Sequence, residues 1–120
     1  MTKEEIDHFM HEALKEARKA DKKNEIPIGA VIVRNGEIIS RAYNTREKTK
    51  NSTAHAEILA ISKACRKLDN WRLLDCDIFV TIEPCLMCLG ALFNARIQGL
   101  YFGAENNSNG NIKLEELGQV

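Results

Sequence analysis

No apolar run in this sequence approaches the length of a membrane span. Net charge is missing too: 17 Lys and Arg residues balance 17 Asp and Glu. That balance argues against broad, non-specific binding of nucleic acid, although a local basic patch would still suffice for RNA. Internal repeats are absent. Cysteine is sparse, with 4 residues in 120, and in a cytosolic chain these argue for metal or thiol chemistry rather than disulfides. The opening stretch MTKEEIDHFM is acidic and helical in pattern, so no secretory leader is expected. The expected location is the cytoplasm.

What is present is an ordinary globular composition, 44% hydrophobic and 28% charged. Residues 1–120 suit a single domain that can bury a core without staples. Thr2 and Glu5 form a capping box. Ile6, Phe9, Met10, Ala13, Leu14, Ala17 and Ala20 then recur at helical spacing as one buried stripe. His8 and His11 lie near its edge and read as surface residues. Pro27 opens a strand over 28–34, Asn35-Gly36 is a hairpin turn, and residues 37–44 return as a second strand. Gly29 invites close approach of another backbone or a ligand.

Residues 46–52 read as a polar, basic loop. A helix is predicted from about Ala54 to Leu68, with Cys65 as a core thiol, and Asp69-Asn70 ends it. Trp71 and Leu73 are expected to cover the core, the alternative for Trp71 being an exposed ring that stacks on a base, with Cys76 a small buried residue. A third strand over 77–82 stops at Pro84. The following helix, 85–95, is apolar almost all round, which predicts packing on the sheet inside and on another subunit outside. A fourth strand over 97–102 ends at Gly103. A polar loop follows at 106–111, then a short helix at 112–117. This order predicts an α/β fold, a three-layer α/β/α sandwich with a central mixed sheet. Two basic clusters, Lys15 to Lys23 and Arg46 to Lys50, read as solvated surface.

Chemistry concentrates in two stretches, TAHAE at 53–57 and TIEPCLMC at 81–88. Cys85 and Cys88 alone could be a thioredoxin-like redox pair. His55 upstream changes that reading. One imidazole and two thiols give three ligands, and three protein ligands plus water is the pattern of a catalytic rather than a structural zinc. No fourth Cys or His stands at motif spacing. His55 and Glu57 lie about 200° apart around a helix, so they converge only at a helix N-terminus. Cys85 and Cys88 also open a helix. Two helix N-termini around one metal favour thiolates. Glu57 is then the spare acid that shuttles protons. Glu83 is the other candidate, with backbone its expected partner.

His-x-Glu followed by Pro-Cys-x-x-Cys is the signature of zinc-dependent nucleobase deaminases. The chain resembles the cytidine deaminase-like superfamily, and within it the bacterial tRNA-specific adenosine deaminases. The resemblance runs from the first helix to Ala104. It is carried by IPIGAV at 26–31, Asn44, TAHAE, NWRL at 70–73, EPCLMC at 83–88, ARI at 95–97 and YFGA at 101–104. It implies one zinc per chain on His55, Cys85 and Cys88, with Glu57 catalytic. It also implies Asn44 bonded to the target base, with Pro27 and Ala54 lining the pocket. The implied partners are a second copy of the chain and a tRNA anticodon loop, that of an arginine tRNA, with the wobble adenosine converted to inosine. The same ligands serve guanine, cytosine or cytidine deaminases, and a non-catalytic zinc-containing RNA-binding subunit is a further alternative. Two departures stand out. The segment after Ala104 is Glu105-Asn106-Asn107 where the family has an acidic, Gly-rich one. The family also continues past the position of Val120 with a strand and helical segments, the last of which contacts RNA.

Overall fold

Thr2 caps the first helix by both halves of the capping box: its hydroxyl accepts from the Glu5 N–H, and the Glu5 carboxylate accepts from the Thr2 N–H. In the computed structural model, which describes residues 1–106, α1 spans Lys3–Lys22. It buries Phe9, Ala13, Ala17 and Ala20 as the pattern requires. Leu14 departs from the expected stripe and is 38% exposed. Glu16 is buried instead, held by Lys19 at 2.8 Å and Arg41 at 3.2 Å. His8 and His11 are exposed, as read from the sequence.

β1 (Gly29–Arg34) and β2 (Glu37–Tyr43) form the hairpin. Asn35 and Gly36 have φ of 51° and 78°, the left-handed pair that this tight turn demands. Each strand is one residue shorter than read from the sequence. Gly29 meets the backbone of α1: an added Cβ would collide with Ala13 O and Ala17 N. The close approach expected there is therefore helix on strand.

β3 (Cys76–Ile82) pairs antiparallel with β1, and β4 (Gly99–Ala104) pairs parallel with β3, giving the order β2-β1-β3-β4. The expected mixed sheet is thus present. β4 starts two residues later than predicted and runs through Gly103. Arg96 adopts φ 62° and turns the chain, so Ile97 is buried ahead of the ladder. Gly103 stays in the strand because it lies against Thr81, whose carbonyl oxygen would sit 2.8 Å from a Cβ.

Alternate residues of the strands face two cores. Val31, Val33 and Phe79 pack on Phe9 and Ala13 of α1. Ala30, Ile32, Ile78 and Val80 face the other way, toward α3 (Ala56–Leu68) and α4 (Leu86–Asn94). These are the three layers. Leu73 is fully buried in the second core, but Trp71 is 54% exposed and does not cover the core. Its ring lies beneath the guanidinium of Arg72, 4.3 Å from the ring centroid, with Arg96 at 5.6 Å. Cys76 is buried, whereas Cys65 is only half-buried. Where a loop was predicted, residues Arg46–Thr49 form a short helix, α2. The helix expected at 112–117, and the loop at 106–111 beyond Asn106, lie outside the described residues.

Candidate active site

Two helix N-termini meet at the C-terminal end of β3. His55 is the N-cap of α3 and Cys85 the N-cap of α4, both in extended conformation. Both helices therefore start slightly later than predicted. Neither side chain caps its own helix. Each is turned instead toward the other. His55 Nδ1 lies 3.6 Å from Cys85 Sγ and 3.6 Å from Cys88 Sγ. Cys88, in the first turn of α4, is fully buried.

The spacing tests whether a metal fits. Zinc bonds of about 2.3 Å to sulfur and about 2.0–2.1 Å to nitrogen, at a tetrahedral angle, require S···N of about 3.6 Å. Both observed distances match. The three donor atoms lie within 4.8 Å of one another, and theirs is the metal-capable group found among the described residues. Imidazole with two thiols selects zinc among common metals.

Electrostatics agree. Burial pushes the Cys88 thiol up, and the nearby Glu57 and Cys85 charges push it the same way. Such crowding of anionic donors is what a divalent cation relieves. Burial, followed by the charge of Arg46, holds the His55 imidazole below its ordinary value, toward the neutral form that binds metal.

Glu57 follows one residue into α3 and is 3% exposed. Burial raises its carboxyl above the usual range, against smaller opposing contributions from its own backbone N–H and Cys88. Its Oε1 is buried with no hydrogen-bond partner among the described residues. A buried carboxylate oxygen beside a metal-ready triad makes Glu57 a candidate for proton transfer. Glu83 differs. Its carboxylate accepts from the Asn106 N–H at 3.0 Å, so its partner is backbone, as expected.

The triad opens on a cavity of about 310 Å³. Ile26, Ile28, Ala56 and Ile82 make its walls apolar. Asn44, Arg46 and Asn106 supply polar edges, and His55 and Cys85 form the metal end. A mostly apolar cleft with few polar groups is the usual form of a small-ligand site. Of the substrate residues expected, Asn44 lies on the wall, its Oδ1 accepting from the Arg46 N–H at 3.0 Å. Pro27 sits between the wall residues Ile26 and Ile28. Ala54 is buried just before His55. Sequence reasoning missed Ile26, Arg46 and Asn106. Arg46 carried a signal, since it stood in a basic cluster, but nothing local pointed it at the cavity.

Residues 3–104 match the cytidine and deoxycytidylate deaminase zinc-binding region. The chain is 53% identical over 104 residues to a tRNA-specific adenosine deaminase of Bacillus subtilis, covering 87% of this chain and 63% of the relative. It thus spans just under two thirds of that relative's length. Among solved structures, it is similar to one from biochemical and structural studies of A-to-I editing by tRNA:A34 deaminases at the wobble position of transfer RNA. That likeness has a TM-score of 0.87 and 43% identity, over 94% of this chain and 83% of the other. A guanine deaminase from Bacillus subtilis superposes with TM-score 0.81 and 36% identity, over 98% of this chain and 71% of the other. With the matched segment holding the whole sheet, the triad and Glu57, the chain belongs to the cytidine and deoxycytidylate deaminase zinc-binding family.

Proposed function

We propose that this chain hydrolytically deaminates adenosine to inosine at the wobble position of a tRNA, in the anticodon loop of an arginine tRNA. The observation that carries the chemistry is the orphaned Oε1 of Glu57 beside the His55, Cys85 and Cys88 donors. The tRNA deaminases it resembles supply the substrate class. One zinc, held by those three residues, would supply the Lewis acidity that activates water for attack on the amine-bearing ring carbon.

The chain's own residues do the rest. Glu57 takes a proton from the attacking water and delivers it to the ring nitrogen, then takes the proton of the newly added hydroxyl and delivers it to the amino group, which leaves as ammonia. Water enters and ammonia leaves, so the reaction needs no other reactant. Burial raises the Glu57 carboxyl, the direction that helps it hold a proton between the two transfers. Asn44 hydrogen-bonds the flipped base. Pro27 fixes the backbone carrying Ile26 and Ile28, and Ala54 backs the turn that presents His55. The base reaches them from a splayed, single-stranded loop.

Two copies of the chain form the working unit, joined partly through α4. No helix among the described residues is long and apolar enough to cross a membrane. A tRNA substrate places the work in the cytoplasm, where fractionated cells should show the protein.

The guanine deaminase likeness supports a second reading, a free-base enzyme using the same donors. One experiment separates the two. Zinc-loaded protein is offered an arginine-tRNA anticodon stem-loop and, in parallel, guanine, cytosine and cytidine. Inosine in the RNA, with no ammonia from the small substrates, is the expected result. Ammonia from a small substrate alone overturns the RNA reading, and no turnover of any substrate favours a non-catalytic partner.

A further inference from the structure

Glu25 is a carboxylate that the chemistry above does not use. It is 6% exposed and forms no ion pair among the described residues. It stands just past the end of α1, where its own N–H bonds Ala20 O at 3.0 Å and fixes its position. Both of its carboxylate oxygens are engaged by backbone across the fold: Oε1 accepts from the Glu47 N–H at 3.0 Å, and Oε2 from the Lys48 N–H at 2.8 Å. A buried charge without a counter-charge is costly. Two charge-assisted bonds to otherwise orphaned amides are what offsets that cost.

The amides belong to α2, four residues that form no turn of stable helix alone. The segment next to Glu25 and the segment leading into α2 are also paired. Asn44 N donates to Ile28 O at 3.1 Å, and Asn44 Nδ2 points at Ile26 O at 3.5 Å. Four of the cavity-lining residues, Ile26, Ile28, Asn44 and Arg46, sit on these two strips of chain. The Arg46 guanidinium forms no ion pair among the described residues. Arg46 itself lines the cavity and so brings a cation to it.

We infer that Glu25 is a positioning residue for the substrate cavity. Its carboxylate clamps α2 and so sets the Asn44–Arg46 wall, holding a cation at the rim where a phosphate-linked nucleotide enters. The inference about the substrate rests on the proposed RNA activity. The clamp itself does not.

The test uses the zinc-loaded full chain with Glu25→Ala and Glu25→Gln. Gln keeps one acceptor oxygen and so can restore one of the two bonds. Zinc content and melting temperature report whether each variant folds. In Glu25→Ala the Glu47 and Lys48 amides should exchange hydrogen at least about tenfold faster, as expected for loss of a charge-assisted bond. Glu25→Gln should recover part of that protection. With the stem-loop, KM should rise about tenfold in Glu25→Ala while kcat stays within about twofold, the pattern of lost binding rather than lost chemistry. Unchanged exchange overturns the clamp. Faster exchange with unchanged KM overturns its role in substrate positioning, and lost zinc or a fallen kcat at constant KM assigns Glu25 to the metal centre or the core. If the wild-type chain neither binds nor deaminates the stem-loop, the RNA reading fails, and the exchange data still decide the clamp.

Discussion

Burial raises the Glu57 carboxyl, and its Oε1 has no hydrogen-bond partner among the described residues. A structural carboxylate satisfies both oxygens, as Glu25 does with the Glu47 and Lys48 amides. Replacing Glu57 with Gln preserves size and removes the titrating proton. Zinc content and melting temperature should hold, and deamination should fall about 10²–10⁴-fold, the usual contribution of a positioned acid–base group. A variant that retains activity removes Glu57 from the proton path. The His55, Cys85 and Cys88 group was legible in the sequence because each half of it stands at a helix start, with Glu57 the candidate acid beside it. The cavity walls were not. Ile26, Arg46 and Asn106 reach the site through long-range pairings that no local pattern encodes.

At the scale of elements, periodicity fixed the existence of α1, α3, α4 and all four strands, while their ends moved by a residue or two. Those shifts have local causes: His55 and Cys85 act as N-caps, and Arg96 turns left-handed before β4. The element missed, α2, depends on a carboxylate twenty-two residues away from its first bonded amide. α4 carries the sharpest expectation. Its buried face is Cys88, Leu89 and Leu92, while Leu86 and Met87 are 46% and 38% exposed. Gly90 lies on the outward side, and an added Cβ there would meet nothing within 4 Å. An apolar outward face of this kind suits a partner copy. A Gly90→Glu variant should keep its fold and zinc, since the side chain enters open space and Gly is a poor helix former. Sedimentation should show the wild type as a dimer and the variant as a monomer. A monomeric wild type sinks the dimer, and a dimeric variant moves the interface off α4.

Across the whole molecule, zero net charge and a pI near 6.8 leave no large self-repulsion at neutral pH, so acid stability turns on individual carboxylates. Glu12 is a strongly displaced carboxylate. Hydrogen bonds from Lys15, at 2.8 Å, and Arg41, at 2.9 Å, bring it from 4.5 to about 2. Its folded value lies below its unfolded one, so the unfolded chain takes up the proton first. The stabilisation is fully present above 4.5 and is lost as pH falls from there toward about 2. Glu57 and Asp77 are raised by burial and contribute with the opposite sign, losing stability as pH rises. Zinc release in acid adds its own slope. A difference measurement removes these shared contributions. Urea midpoints of the wild type and Glu12→Gln should differ modestly at neutral pH, with the wild type higher. The gap should close as pH falls through the window from 4.5 to about 2, and should narrow in high salt because the pair is partly exposed. Parallel curves across that window would show that the α1–β2 ion pairs hold no proton-linked stability.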